Sequence, residues 1–245
     1  MVKSRFIAPT RKIIGKDDKI SVVLTCSNPG YRMKTYGSKS LFALKNGVHL
    51  IYNQIACIKR CYPNSEIIVV SGFEADNISH YRNLKVRFVE NQIFEETGEL
   101  EQIRLAINNM ETEKMLYISG DLYFNDHSIQ GLAGKESAML IDHRNQIDSS
   151  EIGVTVVDDY ITIMSYGLDS IWSNIIFFNE KELEILRQVA SNRDLNKLYA
   201  FEAINKVLDK DGKIKAVSNN QSELLKVTSP KDIKKLGEKN ANINF

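Results

Sequence analysis

Cysteine, proline and excess charge are all scarce in this chain, and each scarcity closes off a class of protein. The three cysteines, Cys26, Cys57 and Cys61, are too few and too poorly spaced for a zinc ribbon. Their odd number also argues against a secreted disulfide framework and for a reducing compartment. Cys57 and Cys61 lie four apart on an expected helix with no second Cys or His pair to complete a tetrahedron, so they read as packing residues. With only four prolines in 245 residues and no low-complexity stretch, nothing reads as an interdomain linker. Thirty-two Lys and Arg against 31 Asp and Glu leave a net charge of +1, so there is no whole-molecule attraction to nucleic acid or to an anionic membrane. No apolar run approaches the roughly 20 residues that span a bilayer. The expectation is a cytoplasmic protein with no nucleic-acid or membrane partner.

What is present is a core: 43% of the residues are apolar, enough for one extended domain without staples. Residues 1–18 are basic and weakly periodic, and read as an N-terminal arm. A single domain is expected over 19–245, with one half at 19–125 and the other at 126–245. Ile20 to Thr25 and Glu66 to Ser71 are short β-branched runs of the kind buried on both faces of a parallel sheet. Val86 to Val89 and Lys114 to Ser119 read as two more strands. Helical spacing from Leu50 to the stop at Pro63, and again through Leu100, Ile103, Ile107 and Met110, fills the intervals. This alternation predicts an α/β fold with helices on both faces of a mainly parallel sheet. The second half changes texture. Strands are expected at Gly153–Val157, Ile161–Met164 and Ile171–Phe178, then helices near 180–191 and 198–208, a hairpin across Asp211-Gly212, and a helix after Pro230.

In a parallel sheet ligands gather beyond the carboxyl ends of the strands, which directs attention to the residues just after Thr25, Ser71 and Ser119. The connection from Cys26 to Ser40 holds two glycines, two lysines and an arginine. It reads as an anion cradle: N–H groups freed by Gly30, a bidentate fork from Arg32, point charges from Lys34 or Lys39. Asp121 ends the strand that closes at Ser119 and should face the same edge. A carboxylate there is tolerated beside phosphates when a cation sits between them, and Mg²⁺ is the usual one. Asp126 reads as the cap of the next helix. His49, His80, His127 and His143 are scattered and read as structural.

At these residues the chain resembles a known family. Val22 through Met33, followed by Ser38-Lys39-Ser40-Leu41, is similar to the opening signature of the nucleotidyltransferases that make nucleotide-activated sugars and phospho-alcohols. The similarity continues through Asn46-Gly47, Ile67 to Gly72, Ser119-Gly120-Asp121 and Val227 to Ile233. The resemblance implies a Rossmann-like three-layer α/β/α fold of the nucleotide-diphospho-sugar transferase type, with a mixed sheet. It also implies Mg²⁺-dependent attack of a phosphorylated acceptor on the α-phosphorus of an NTP, CTP or UTP in the first place. Arg32, Lys39 and Asp121 take the catalytic positions. Thr25, Ser27, Gly30, Tyr31, Gly72, Thr97 and Gly98 take positions around the nucleotide. Asp121 and Glu223 stand as metal ligands, with Asn220 a weaker match than Glu223. Trp172, Glu202 and Asn205 are the expected acceptor contacts, the acceptor being a sugar phosphate or phosphocholine-like.

The chain departs from the family pattern at Asn28 and Pro29, where glycines are expected, and at Ser38, where proline is expected. Two other readings stay open: a nucleotide-sugar glycosyltransferase of the same fold, and a nucleotide-binding protein without turnover. The first usually needs Asp-x-Asp after a strand, and Asp121-Leu122-Tyr123 lacks the second aspartate.

Overall fold

β-Branched runs and amphipathic helices alternate as expected, and in the computed structural model they build a sheet covered on both faces. The structure describes residues 19–29, 34–143 and 151–241. The elements, in order, are β1 (Ser21–Cys26), α1 (Leu50–Cys61), β2 (Glu66–Ser71), α2 (Ala75–Ser79), β3 (Arg87–Glu90), α3 (Glu99–Ile107), β4 (Met115–Ser119), β5 (Leu122–Phe124), α4 (Asp126–Ile129) and β6 (Ala138–Asp142). Then come β7 (Ile152–Val157), β8 (Tyr160–Tyr166), β9 (Ser170–Phe178), α5 (Glu180–Ser191), α6 (Ala200–Leu208), β10 (Lys215–Val217), β11 (Leu224–Lys226) and α7 (Pro230–Leu236). Nine strands form one mixed sheet in the order β3-β2-β1-β4-β9-β6-β10-β8-β7. Among the described residues no helix is long and apolar enough to cross a membrane.

β1 lies between β2 and β4 and is parallel to both, so Thr25 pairs with Val70 on one side and Ser119 on the other. Alternation splits its side chains between two cores. Val22 and Leu24 pack with α1 and α4 through Ile51, Ile55, Ile58 and Ile129. Val23 packs on the other face with α3, α5 and α6 through Leu100, Ile103, Leu186 and Ile204. These are the three layers, each large apolar side chain contributing about 1.5–3 kcal/mol on full burial.

The second half is mainly antiparallel, with β10 parallel to β6, and it closes. β9 pairs with β4 at Ile175 to Phe178, with β6 over most of its length, and with β7 at Ser170 and Ile171. β9, β6, β10, β8 and β7 therefore form a ring of strands attached to the parallel sheet through β9. The transition in β9 is a bulge at Asn174, whose φ of 60° is the left-handed conformation that asparagine tolerates better than most residues. A separate two-stranded ribbon, β11 with β5, packs Tyr123 and Val227 against Leu236 of α7.

The hairpin expected across Asp211-Gly212 is not formed. Asp211 is left-handed (φ 61°) and the Gly212 N–H donates to the Val207 carbonyl at 3.0 Å, so the pair closes the end of α6. Asp-Gly suits a helix end as well as a hairpin, because both need a positive φ. The cap before α4 is Asn125, whose side chain accepts the Ser128 N–H at 3.2 Å. Asp126 instead receives a two-point hydrogen bond from Arg60 of α1, at 2.7 and 2.8 Å.

Candidate active site

The carboxyl ends of β1 and β4 meet the connection that leaves β1, and the meeting point is a pocket of about 300 Å³. Lys39 begins a short 3₁₀ turn, Lys39–Leu41. Its Nζ lies 2.8 Å from Oδ2 of Asp121, with the two side chains only 11% and 16% exposed. Ser119 donates to the other carboxylate oxygen, Oδ1, at 2.7 Å. Ser40 donates to the Gly120 carbonyl at 3.2 Å, and Gly120 N–H donates to the Thr25 carbonyl at 3.0 Å. The buried amide of Gln54, on α1, reaches the carbonyls of Ser119, Gly120 and Leu122 at 3.3, 3.3 and 2.8 Å. The turn that carries Asp121 is thus pinned from three sides before any ligand arrives.

Burial opposes ionisation of Asp121. The positive charges of Lys226 and Lys39, with the hydrogen bonds from Lys39 and Ser119, outweigh it and hold the carboxyl below its ordinary value of 3.8. Burial also pushes the Cys26 thiol, which lines the same pocket, up to about 12, so it is not a nucleophile at neutral pH.

One wall is aromatic. Trp172 is buried, stacked on Tyr117 with ring centres 6.2 Å apart; Phe201 meets Tyr199 in a stack at 6.2 Å and Tyr166 edge-on at 5.6 Å. Trp172, Phe201, Tyr199 and Tyr166 all line the pocket, as do Glu99, Asn174 and Lys226.

Of the residues expected from sequence, Lys39, Asp121, Thr25 and Trp172 come together here. Arg32, Gly30 and Tyr31 lie outside the described residues. Others are placed elsewhere. Glu223 does not reach Asp121: β11 sets Lys226 opposite Leu122, and Val227 N–H donates to the Asp121 carbonyl at 2.9 Å. That leaves Glu223 three positions, about 10 Å, further along the strand. It is 57% exposed and pairs with Lys239 at 3.2 Å. Glu202 accepts the Tyr199 N–H at 2.8 Å and so caps α6. Asn205 spends its amide on Met164 of β8, accepting its N–H at 2.9 Å and donating to its carbonyl at 2.8 Å. A Cβ on Gly98 would overlap the carbonyl of Lys197, so this glycine serves close packing against the α5–α6 connection. Thr97 donates to the Ile93 carbonyl at 2.9 Å. Gly72 packs on Phe94 and Ser27, and the Ser27 hydroxyl donates to the Ser71 carbonyl at 3.0 Å.

Sequence reasoning missed Gln54, Asn174 and Lys226. Gln54 left a signal, a polar residue among Ile51, Ile55 and Ile58 on the buried face of α1. Lys226 also left one, since it directly precedes the stretch from Val227 to Ile233 that carries the resemblance. Asn174 left none.

As a metal site the pocket offers two carboxylates, Asp121 and Glu99, and Glu99 already accepts the Ala200 N–H at 2.8 Å. Among the described residues no three His, Cys, Asp or Glu side chains are grouped to hold an ion. That donor set suits Mg²⁺ bound mainly through substrate phosphates, with Asp121 as its protein ligand, and does not suit an ion caged by protein alone.

The three-layer α/β/α fold thus sets a lysine–aspartate pair at the carboxyl edge of its sheet, where such folds bind ligands. Residues 22–204 match the MobA-like NTP transferase domain family, and the chain belongs to it; it is a nucleotidyltransferase. Solved structures share the fold at low identity. The CTP:phosphocholine cytidylyltransferase of Streptococcus pneumoniae superposes with a TM-score of 0.74 at 15% identity, covering 89% of this chain and 97% of that one. The inositol-1-phosphate CTP transferase from T. maritima gives 0.70 at 15%, covering 86% and 90%. A UDP-glucose pyrophosphorylase in complex with UDP-glucose gives 0.71 at 11%, covering 90% and 97%. No curated protein sequence matches the chain.

Proposed function

We propose that this nucleotidyltransferase moves a nucleoside monophosphate from an NTP to a phosphorylated small acceptor, a sugar phosphate or a phosphocholine-like ester, and releases pyrophosphate. The observation that carries the reading is the Lys39–Asp121 pair in the pocket at the ends of β1 and β4. An oxygen of the acceptor's phosphate bonds to the α-phosphorus, and the bond from that phosphorus to the bridging oxygen breaks, leaving with pyrophosphate. The attacking oxygen is already ionised, so no general base is required, and none is needed from the scattered histidines. What the reaction demands is in-line placement and relief of charge on the phosphate oxygens.

Lys39 supplies one positive charge at the reacting phosphates, and Arg32 of the preceding loop is assigned a second. Mg²⁺ held by Asp121 would screen the triphosphate. Ser119, Gln54 and Ser40 keep the carboxylate and the turn in register. The aromatic wall of Trp172, Tyr166 and Phe201 suits the acceptor's organic part, by stacking on a sugar ring or by attraction of a quaternary ammonium to ring faces. CTP and UTP are the favoured donors, because proteins of the same fold include two that use CTP and one that handles a uridine nucleotide. Three free thiols suit a cytoplasmic setting.

The test is pyrophosphate release from CTP, UTP, GTP, ATP and dTTP with Mg²⁺, each against a panel of phosphorylated sugars and amino-alcohols. Release with a pyrimidine triphosphate and one acceptor class is expected. Silence across the whole panel from well-folded protein would replace this reading with that of a nucleotide-binding protein.

A further inference from the structure

Among the described residues two ammonium groups enter the pocket, and they are held differently. Lys39 is nearly buried and salt-bridged to Asp121. Lys226, on β11, is exposed, and its Nζ donates to a neutral group, the side-chain oxygen of Asn174, at 2.7 Å. Lys39 is paired directly with a carboxylate, whereas Lys226 donates to an amide that orients its ammonium without adding a negative charge.

We propose that Lys226, aimed by Asn174, anchors the phosphate of the acceptor. The inference deepens the nucleotidyl-transfer reading and rests on it.

The placement comes from two strand registers. Pairing of β11 with β5 sets Lys226 opposite Leu122, and the bond from Val227 N–H to the Asp121 carbonyl fixes the ribbon beside the carboxylate. The charge of Lys226, like that of Lys39, favours the ionised form of Asp121. On the other side, β9 changes partners along one edge at its bulge: Ser170 and Ile171 pair with β7, whereas Ile175 pairs with Ile118 of β4. Asn174 sits between them with φ 60°, and its own amide nitrogen donates to the Trp172 carbonyl at 3.2 Å. That bond leaves Oδ1 to meet Lys226. Bulges commonly re-aim one side chain next to a reacting centre, and this one turns an amide into the pocket.

The chemistry separates the roles of the two lysines. In-line transfer requires the attacking phosphate and the departing pyrophosphate to lie on opposite sides of the α-phosphorus. Lys39 comes from the segment after β1, the nucleotide side by its resemblance. Lys226 comes from the C-terminal ribbon and is linked through Asn174 to the strand that carries Trp172, the aromatic wall assigned to the acceptor. A phosphate monoester carries between one and two negative charges near neutrality, and an exposed lysine receives it as a mobile point charge.

Trp172 is the only tryptophan in the chain and lines the pocket, so its fluorescence reports binding without turnover. The full chain is titrated with inorganic phosphate and, separately, with CTP and Mg²⁺. In wild type, phosphate gives a saturable change. Lys226→Ala raises its Kd about tenfold or more, the loss of one charge-assisted hydrogen bond, and leaves that of CTP within about threefold. Lys226→Arg restores phosphate binding. Asn174→Gly, which keeps the left-handed backbone and removes the amide, gives an intermediate loss. In steady state the same variants raise KM for the acceptor and leave KM for the triphosphate unchanged. Wild-type protein that binds no phosphate, or a Lys226→Ala variant that weakens CTP and phosphate equally, overturns the assignment. If no triphosphate and acceptor pair releases pyrophosphate while phosphate binding still depends on Lys226, the catalytic reading falls and the anion site stands.

Discussion

The parallel half of the molecule and its closed, mainly antiparallel half expose their functional atoms by different rules. In the first, β1 and β4 run side by side, so the segments leaving their carboxyl ends share one edge; Thr25, Lys39 and Asp121 meet there although nearly a hundred residues separate the first from the last. In the second, five strands close into a ring through β9 and offer no such edge. Side chains at helical spacing on α6, Glu202 and Asn205, hold that half together. The atoms it lends to the pocket come from a bulge, Asn174, from Ile152 of β7, and from aromatic residues on β8, β9 and at the start of α6. Position along the chain thus points to chemistry in a parallel sheet and not in the ring attached to it.

The largest effect that would break this contrast is at the lysine–aspartate pair. Lys39→Ala and Asp121→Asn should each lower kcat by about 10²–10³, the scale of losing one preorganised charged group at a transition state, with the fold retained by circular dichroism. A near-normal rate in either variant removes that residue from the mechanism. The pair also has a pH signature. Because the folded carboxyl lies below 3.8, its contribution to stability is present above that value and disappears as pH falls through the lower folded value. The difference in urea midpoint between wild type and Lys39→Ala should therefore persist at neutral pH and shrink below about pH 3.8.

Next in size is Gly98→Ala. The added methyl meets the backbone carbonyls of Lys197 and Leu198, which cannot rotate away, so a stability loss of about 1–3 kcal/mol by urea unfolding is expected, without a specific change in KM for the triphosphate. An unchanged urea midpoint together with weaker nucleotide binding would return Gly98 to the nucleotide site.

The sequence made the sheet legible wherever burial leaves a compositional trace. The β-branched runs of β1 and β2 and the Leu50 helix match their observed bounds within a residue or two, because strands covered on both faces can be nothing but apolar. It did not reveal β6, β5 or β11, which are short or lie where pairing partners are distant in the chain. The place of Asp121 at the same sheet edge as Lys39 was readable because it directly follows a buried strand of the parallel sheet. The distance of Glu223 from Asp121 was not readable, because a strand register cannot be counted from sequence. A shift of three residues exchanges an acidic side chain for Lys226 beside Asp121, and with it the sign of the charge delivered to the pocket.

The smallest effects test whether α6 is scaffold. Glu202 and Asn205 sit three apart on this helix, the spacing that made them look like a shared acceptor contact. In the fold they face different tasks. Asn205 satisfies both backbone groups of Met164, so Asn205→Ala leaves that pair without its partner and should lower stability by about 1–3 kcal/mol. Glu202 accepts the Tyr199 N–H at the helix start, and Glu202→Ala should lower stability by about 1 kcal/mol, the usual scale of a lost N-terminal capping interaction. Both variants should keep the wild-type KM for the acceptor, measured where each is fully folded. Tyr199 and Phe201 line the pocket from the first turn of the same helix, so a loosened cap could still be felt there. A general loss of order would raise the KM values of both substrates together. A rise confined to the acceptor in Glu202→Ala, without the small drop in urea midpoint, would move Glu202 from the scaffold to the acceptor site and erase the contrast between the two halves.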